Sequence, residues 1–318
     1  MSSVVLITGI GGDISQGVAT ILCECRKDLC LVGVDVHSQH GGKLFVDFYE
    51  TVPSATDPNY LSALELIIQK YQVEIFIPMT EPELGILQPS FGSLFPGVKW
   101  ITAGKEVVAA GLDKLATIKA IEELGLPVPW TIPVGNGDPL GYPCILKNRY
   151  GSGSRAVFEL QNDDDAAYYR KHHPNAVFQE MLEPADREIT CAVYRGLDGA
   201  VYSLLMQRRL TGGFTGWAKI INNSEIRLMC ERIAIGLDLR GSMNVQLRLT
   251  DQGPRVFEIN PRFSSTVLMR HRMGFKDVLW AIEEAEGKGF DYSPVPENKI
   301  MVRIQEAAIF DEEKQAEL

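Results

Sequence analysis

The chain has 318 residues, of which 45% are hydrophobic and 23% charged, and its formal net charge is −10. This length suffices for two or three domains, each with its own core. The acidic balance, without a run of Lys and Arg, argues against a nucleic-acid or membrane-surface partner, because both polyanions require a concentrated basic face. We expect no membrane span and no secretory signal. Six scattered cysteines without a CxxC pair predict buried thiols and a cytoplasmic protein.

The first hundred residues alternate short apolar strands with helical patterns. Strands are predicted at VVLITGIGG, LCLVGVDV, EIFIPM and GVKWITAG, and helices at residues 16–26 and Tyr60–Tyr71. Such β-α-β alternation predicts a parallel sheet with helices on its faces. We therefore predict an α/β protein that begins with a Rossmann-like domain over residues 1–105.

Glycines cluster directly after the first predicted strand. Gly9, Gly11 and Gly12 follow this strand, Gly17 opens the next helix, and Asp35 ends the second strand. In a dinucleotide fingerprint such glycines admit a pyrophosphate to a helix N-terminus, and the acid holds the ribose. The spacing here departs from that fingerprint, and glycine turns also serve packing in open α/β sheets. We interpret the turn as scaffold and keep an NAD(P)-dependent oxidoreductase as the alternative.

The pattern changes near residue 105. Residues 113–125 predict a capped amphipathic helix that ends at Gly125. The Pro/Gly-rich stretch LPVPWTIPVGNGDPLGYP is predicted to be a connector, and strand hairpins with occasional helices follow it.

The stretch YPCILKNRYGSGSRAVFEL predicts a strand, a glycine/serine loop and a second strand. Lys147 ends the first strand, and Ser152, Gly153 and Ser154 lie in the loop. Converging backbone N–H groups, hydroxyls and a lysine charge suit an anion such as phosphate. A mobile hairpin tip is the other reading of the same loop.

Two acids accompany the next pair of predicted strands, in AVFQEMLEPADREITCAVY. The first strand ends over residues 179–182, and the second carries Glu188. A strand end with free backbone groups can hydrogen-bond a purine edge, and a carboxylate can accept both ribose hydroxyls. Glu180 and Glu188 also fit ordinary solvated acids.

The strongest pattern is GSMNVQLRLTDQGPRVFEINPRF, which predicts a hairpin with one apolar and one polar face. If the hairpin is centred on Gln252, Gln246 pairs with Glu258, and Asn260 lies on the same face. A register slip of one residue would separate these oxygen donors. Mg²⁺ prefers such oxygens, with substrate phosphates completing its shell. Arg262 follows and can reach a developing phosphoryl charge. The alternative interpretation is a polar sheet face that only contacts solvent.

These motifs together resemble an ATP-grasp enzyme, and most closely a single synthetase module of the carbamoyl-phosphate synthase large chain and its small stand-alone relatives. The resemblance implies a Rossmann-like domain (1–105) and a two-lobed ATP-grasp fold, with a small lobe over 106–182 and a large lobe over 183–318. It assigns ATP contacts to the following residues: Lys114, Lys147, Ser152, Gly153, Ser154, Glu180, Met181, Leu182 and Glu188. It assigns metal binding to Gln246, Glu258 and Asn260, and catalysis to Arg262 and Lys147.

The implied function is ATP-dependent ligation of a carboxylate to an amine or another nucleophile through an acyl phosphate, with release of ADP and phosphate. The expected cofactors are ATP and Mg²⁺ or Mn²⁺, and the partners are small molecules; a homodimer is left open. Only one module is present, which argues against complete carbamoyl-phosphate synthesis. Candidate substrate contacts are Lys219, Ser264, Ser265 and Arg270. A non-catalytic nucleotide-binding protein is a further alternative.

Overall fold

A computed structural model describes residues 3–151, 157–304 and Ala307. The strands are β1 (Val4–Thr8), β2 (Cys30–Asp35), β3 (Phe48–Thr51), β4 (Ile75–Ile77), β5 (Lys99–Trp100), β6 (Thr131–Pro133), β7 (Cys144–Asn148), β8 (Val157–Leu160), β9 (Ala176–Glu180), β10 (Glu188–Arg195), β11 (Val201–Thr211), β12 (Phe214–Ile220), β13 (Gly241–Thr250), β14 (Gly253–Asn260) and β15 (Ile300–Val302). The α-helices are α1 (Asp13–Cys25), α2 (Tyr60–Tyr71), α3 (Glu81–Leu87), α4 (Lys105–Gly111), α5 (Lys114–Glu123), α6 (Asp163–His172), α7 (Ser224–Gly236), α8 (Val267–Arg272) and α9 (Asp277–Ala285).

The N-terminal sheet is parallel, with strand order β3-β2-β1-β4-β5. Its central strands are buried on both faces, as their nearly continuous apolar runs require. The predicted α/β class and parallel sheet are confirmed. Helix α1 begins at Asp13 rather than at residue 16, and the short strand β3 was not predicted.

The second sheet is antiparallel, with order β6-β9-β7-β8. Strand β6 lies within the stretch that was predicted to be only a connector, so that prediction was wrong. Pro133 can belong to β6 because this strand is at the sheet edge and pairs only with β9, and edge strands tolerate proline.

The third sheet has order β14-β13-β10-β11-β12-β15, and two different elements cover its faces. Helix α7 covers one face through Ile226, Cys230 and Ile233. The apolar part of the other face packs against the N-terminal domain, in a core that joins α1 with β10 and β11. The polar residues of this second face lie beside that core, so they face the junction between the sheets.

Helix α5 matches its prediction at both ends. Asp113 caps it by accepting a hydrogen bond from the Leu115 amide at 3.0 Å, and Gly125 follows it with φ of +65°. The predicted boundaries at residues 105 and 182 fall in the intervals between consecutive sheets. Within the described ranges, every helix is too short or too polar to cross a bilayer.

Candidate functional site

A cavity of about 1180 Å³ lies where the three sheets meet. The N-terminal domain contributes the glycine turn after β1, with Asp13, and the loop after β4, with Glu81. The second sheet contributes Lys147 and Asn148, and the third contributes the β11–β12 tip and the β13–β14 hairpin. The cavity therefore draws its lining from all three sheet-containing regions of the chain.

For the pairs that carry the oxygen donors, the hairpin register is the one that the sequence predicted, whereas the pairs nearer the turn are shifted by one residue. Asn244 pairs with Asn260, and Gln246 pairs with Glu258. Because directly paired residues share a sheet face, Gln246, Glu258 and Asn260 all line the cavity. The predicted clustering of these three side chains is thus reproduced.

A β-bulge produces this register, and the sequence analysis did not anticipate it. Near the turn Thr250 pairs with Gly253 and Leu247 with Val256, but the next pair is Gln246 with Glu258. Phe257 is the extra residue, so the buried Val256 points to the core while Glu258 points to the cavity. Without the bulge, Val256 and Glu258 would share one face.

The three oxygen donors suit a hard divalent cation. The Asn260 amide lies 3.5 Å from Glu258 Oε1, and Gln246 Oε1 accepts a hydrogen bond from Arg208 Nη2 at 2.8 Å. One carboxylate with two amide oxygens is a set of hard oxygen donors of the kind that Mg²⁺ prefers in proteins. In the described ranges no three His, Cys, Asp or Glu side chains cluster as a metal site, so an ion here depends on these amides.

Lys147 is buried beside these donors, with 5% of its surface exposed. Its Nζ donates to the carbonyl of the bulge residue Phe257 at 3.3 Å and lies 5.6 Å from the centre of that ring. Burial lowers the pKa of Lys147 to about 8, although the nearby Glu258 acts to raise it. Among the described residues this buried amine makes one long hydrogen bond, so it has donors available for an anion in the cavity.

Lys114 starts α5 and also lines the cavity. Its Nζ donates to the Gly151 carbonyl at 2.6 Å, at the beginning of the glycine/serine loop. Arg149 pairs with Asp113 at 2.6 Å, which ties the same loop to the cap of α5. The predicted ATP contacts Ser152, Gly153 and Ser154 lie outside the described residues.

Glu188, the predicted ribose acid, is held by two arginines. Its Oε1 accepts from Arg208 Nε at 2.8 Å, and its Oε2 accepts from Arg248 Nη2 at 2.6 Å. Arg208 also bonds Gln246, so one guanidinium connects the predicted ribose acid with a predicted metal ligand. The sequence analysis missed Arg208, because its neighbours Gln207 and Arg209 are polar too and no local alternation distinguishes it.

The predicted purine-contacting residues lie at the end of β9. Glu180 accepts from the Trp130 amide and forms an ion pair of 2.9 Å with Arg255. The Leu182 carbonyl accepts from Arg248 at 2.8 Å. Glu180, Met181, Leu182 and Glu188 are not among the residues that line the cavity. Glu188 contacts the cavity-lining Arg208, and Leu182 is joined to Glu188 through Arg248, whereas Glu180 pairs with Arg255, which does not line the cavity.

Arg262, Ser264 and Ser265 line the end of the cavity that faces the N-terminal domain. Arg262 pairs with Glu81 at the start of α3, with Nη2 and Oε1 2.8 Å apart. This ion pair is about 10% exposed and connects the hairpin strand to the first domain.

Two predicted substrate contacts are placed elsewhere. Arg270 is fully buried, and its guanidinium is paired with Asp277 at 2.5 Å and bonded to Ser264, so it braces the loop rather than facing the cavity. Lys219 pairs with Gln207, one residue out of phase with Arg208, and therefore lies on the opposite sheet face. The structure brings neither side chain to the cavity.

The glycine turn is occupied by the protein's own groups. The Gly11 amide donates to Asp35 Oδ2 at 2.8 Å, and the Gly12 amide donates to the Gly9 carbonyl at 2.9 Å. A side-chain atom at Gly11 would meet the His40 ring at 2.9 Å. The acid and amides that would hold a dinucleotide are thus already bonded, which disfavours the NAD(P) alternative. Gly9 and Gly12 nevertheless line the cavity, so the turn forms part of its wall.

The family model for the ATP-grasp domain matches residues 112–266. The matched residues include all of the cavity-lining side chains from Lys114 to Ser265. This part of the chain is an ATP-grasp domain. The match ends just after the loop that holds Arg262 and leaves the N-terminal sheet outside it.

Curated relatives of the chain include D-alanine–D-alanine ligases. That of Mycobacterium sp. (strain KMS) is 31% identical over 217 residues, which are 56% of this chain and 57% of that protein. That of Rhodococcus opacus (strain B4) is 27% identical over 207 residues, covering 53% of this chain and 56% of that protein. The chain thus spans little more than half the length of these relatives.

Solved structures extend the likeness to nearly the whole chain. An N5-carboxyaminoimidazole synthetase from Staphylococcus aureus, complexed with ADP, superposes with a TM-score of 0.77 at 17% identity, covering 95% of this chain and 80% of that one. A biotin carboxylase–β,γ-ATP complex from Campylobacter jejuni gives 0.70 at 14% identity, covering 91% and 72%. At these identities the likeness shows the fold, which therefore includes the N-terminal sheet as well as the ATP-grasp domain.

Proposed function

We propose that the chain is an ATP-dependent ligase that joins a carboxylate to an amine through an acyl phosphate. The observation that carries this proposal is the meeting of Lys147 with the oxygen face of the β13–β14 hairpin in one cavity. Buried cations beside hard oxygen donors form the arrangement that positions nucleotide phosphates and neutralises their charge.

In this proposal the cations of the cavity hold the ATP phosphates. Lys147 and Lys114 approach from the second sheet and α5, with the loop residues Ser152, Gly153 and Ser154 covering the phosphates. The strand end over residues 180–182 forms hydrogen bonds with the edge of the adenine. Glu188 accepts hydrogen bonds from the ribose hydroxyls, which replace one of its two arginine partners. Arg262 lies at the far end, next to the group that receives the phosphate.

Gln246, Glu258 and Asn260 would hold Mg²⁺ or Mn²⁺. When bound, the metal neutralises the β- and γ-phosphate oxygens and fixes their orientation. The hairpin register places these three donors on one sheet face.

The proposed reaction has two displacements. A substrate carboxylate oxygen attacks the γ-phosphorus of ATP, and the bond to the β-phosphate oxygen breaks, which yields an acyl phosphate and ADP. The amine then attacks the acyl carbon, phosphate leaves with the bonding electrons, and the amine nitrogen loses a proton. Lys147 and Arg262 stabilise the charge that moves onto the leaving groups, and the cavity walls limit hydrolysis by water.

The relatives support this class of chemistry. The D-alanine–D-alanine ligases are ligases by name, and two solved neighbours were determined with ADP or an ATP analogue. Because the chain spans little more than half of the curated relatives, their substrates are not transferred to it.

The test is a phosphate-release screen of carboxylates crossed with amines in the presence of Mg²⁺ and ATP, with the nucleotide product identified by chromatography. We expect ADP and phosphate only when a matching acid and amine are both present. Release of AMP and pyrophosphate would contradict the mechanism. Nucleotide binding without ligation across the panel would instead support the non-catalytic alternative.

Two lysines on one helix provide the matched control. Lys114 lines the cavity, whereas the side chain of Lys119 is 77% exposed on the same helix. We expect Lys114→Ala to raise the KM for ATP at least about tenfold, as loss of a charge-assisted contact implies. Lys119→Ala should behave like the unsubstituted protein, and equal effects of the two changes would contradict the assignment.

A further inference from the structure

Arg208 lies on β11 beside the oxygen face of the hairpin, and only 9% of its surface is exposed. Its Nη2 donates to Gln246 Oε1 at 2.8 Å, and its Nε donates to Glu188 Oε1 at 2.8 Å. A metal ion at Gln246 would use this same oxygen, because the amide nitrogen is a donor and cannot coordinate a cation. Arg208 therefore places a positive charge directly at a proposed metal ligand.

The charges around the oxygen face disfavour a divalent cation that arrives alone. Glu258 is the one carboxylate among the three proposed ligands, and Lys147 is a second buried cation, bonded to the carbonyl of the bulge residue next to Glu258. The carboxylate of Glu188 is already paired with Arg208 and Arg248. A divalent cation would thus meet one remaining carboxylate and two buried cations, at a depth where charges are weakly screened by salt.

Nucleotide phosphates would reverse this balance. They bring several negative charges to the same end of the cavity, where a guanidinium and an ammonium can both form charge-assisted hydrogen bonds with them. Ribose hydroxyls that bond to Glu188 would in addition compete with Arg208 for that carboxylate. Both contacts would draw the guanidinium away from Gln246 Oε1 and leave this oxygen to the metal.

We propose that Arg208 is a positioning residue that makes metal binding depend on the nucleotide. In the free protein its guanidinium occupies Gln246 and repels a divalent cation. With nucleotide bound, the guanidinium turns to the phosphates, and the metal joins Gln246, Glu258 and Asn260. The inference rests on the proposed ligase function and adds the order in which its site is filled. Because coupling between two ligands is reciprocal, the metal raises the affinity for ADP by the factor by which ADP raises the affinity for the metal.

The test titrates the protein with Mn²⁺ and measures free and bound Mn²⁺ by electron paramagnetic resonance, with and without ADP. Binding to free ADP is subtracted, and Glu258→Ala defines the background from other acidic groups. Without ADP, we expect the unsubstituted protein to bind Mn²⁺ no better than Glu258→Ala. With ADP, its affinity should rise at least about tenfold, as for other groups that orient metal ligands. Calorimetric titration of ADP with and without Mn²⁺ should give the same factor.

Substitution of Arg208 should release the metal site from this dependence. Arg208→Met should bind Mn²⁺ without ADP at least about tenfold more tightly than the unsubstituted protein. Arg208→Gln should show the same gain, because it keeps hydrogen-bond donors and removes only the charge. It also carries the test if Arg208→Met does not fold. Arg208→Lys keeps the charge and should keep the dependence on ADP.

Arg248→Met is the matched control, because Arg248 also pairs with Glu188 but donates to the Leu182 carbonyl instead of Gln246. It should leave Mn²⁺ binding without ADP weak. The proposal is wrong if the unsubstituted protein binds Mn²⁺ equally well without ADP, if neither Arg208→Met nor Arg208→Gln gains affinity, or if Arg248→Met gains as much. Failure of ADP to bind with or without Mn²⁺ would contradict the ligase proposal instead, and the ADP-free series would still decide the role of Arg208.

Discussion

The glycine turn after β1 and the β13–β14 hairpin both contribute polar groups to the cavity wall, but only the hairpin could be interpreted from its residues. The hairpin acts through side chains, whose face follows from residue parity once the register is known. The turn acts through backbone amides, and their availability depends on distant residues such as Asp35. Side-chain patterns are therefore more informative than glycine patterns in this chain.

The largest expected effect comes from removing the carboxylate of the hairpin. Glu258→Ala should lower ATP-dependent turnover at least about 100-fold, because a proposed metal ligand is lost. Steady-state release of ADP measures this effect. Asp251→Asn, in the exposed turn of the same hairpin, should retain full turnover. Full turnover by Glu258→Ala would show that the hairpin is no more functional than the glycine turn.

A smaller effect is expected from the bridge between Glu188 and Gln246. Arg208→Met should lower the free energy of unfolding by about 2 kcal/mol, because it leaves a mostly buried carboxylate with one cation instead of two. Urea denaturation measures the change. Arg187→Met removes a pair whose side chains are 48% and 89% exposed, and should cost less than about 0.5 kcal/mol. Equal losses would contradict the role given to Arg208.

The pH dependence of ADP binding tests Lys147. The pKa of this lysine is about 8 in the free protein, and a bound phosphate would raise it, so binding above pH 8 takes up a proton. We expect ADP affinity to fall by up to about tenfold per pH unit above that value. Calorimetry in two buffers of different ionisation heat measures both effects.

Lys147→Arg should remove this pH dependence, because a guanidinium stays charged in this range. The stability of the ligand-free protein should change with pH in the direction opposite to the ADP affinity. Since the folded-state pKa lies below the ordinary 10.5, the free energy of unfolding should rise as the pH increases from about 8 towards that value. An identical pH dependence of ADP affinity in both proteins would contradict the assignment.

The smallest expected effect concerns the glycine turn. NADH should show no change of fluorescence with the protein, because Asp35 and the amides of Gly11 and Gly12 are bonded to one another or to nearby groups. Mg²⁺ with ADP should raise the temperature of unfolding in the same samples. A clear fluorescence response to NADH would restore the turn as a dinucleotide site.

The sequence alone determined the features that depend on local chemistry. The parallel N-terminal sheet follows from the alternation of apolar strands with helical patterns, α5 from Asp113 and Gly125, and the shared face of Glu258 and Asn260 from their spacing of two residues on β14. These features depend on neighbours in sequence or on a short hairpin, for which local pattern and register suffice.

The tertiary structure decided what depends on long-range contacts. The bulge at Phe257 allows Val256 to reach the core while Glu258 reaches the cavity. No local sequence pattern indicated this bulge. Arg208 and Asp13 owe their positions to the packing of separate sheets and helices, as do the burial of Arg270 and the displacement of Lys219 to the other sheet face. Burial and charge compensation are properties of the assembled fold, so only the structure could assign these residues.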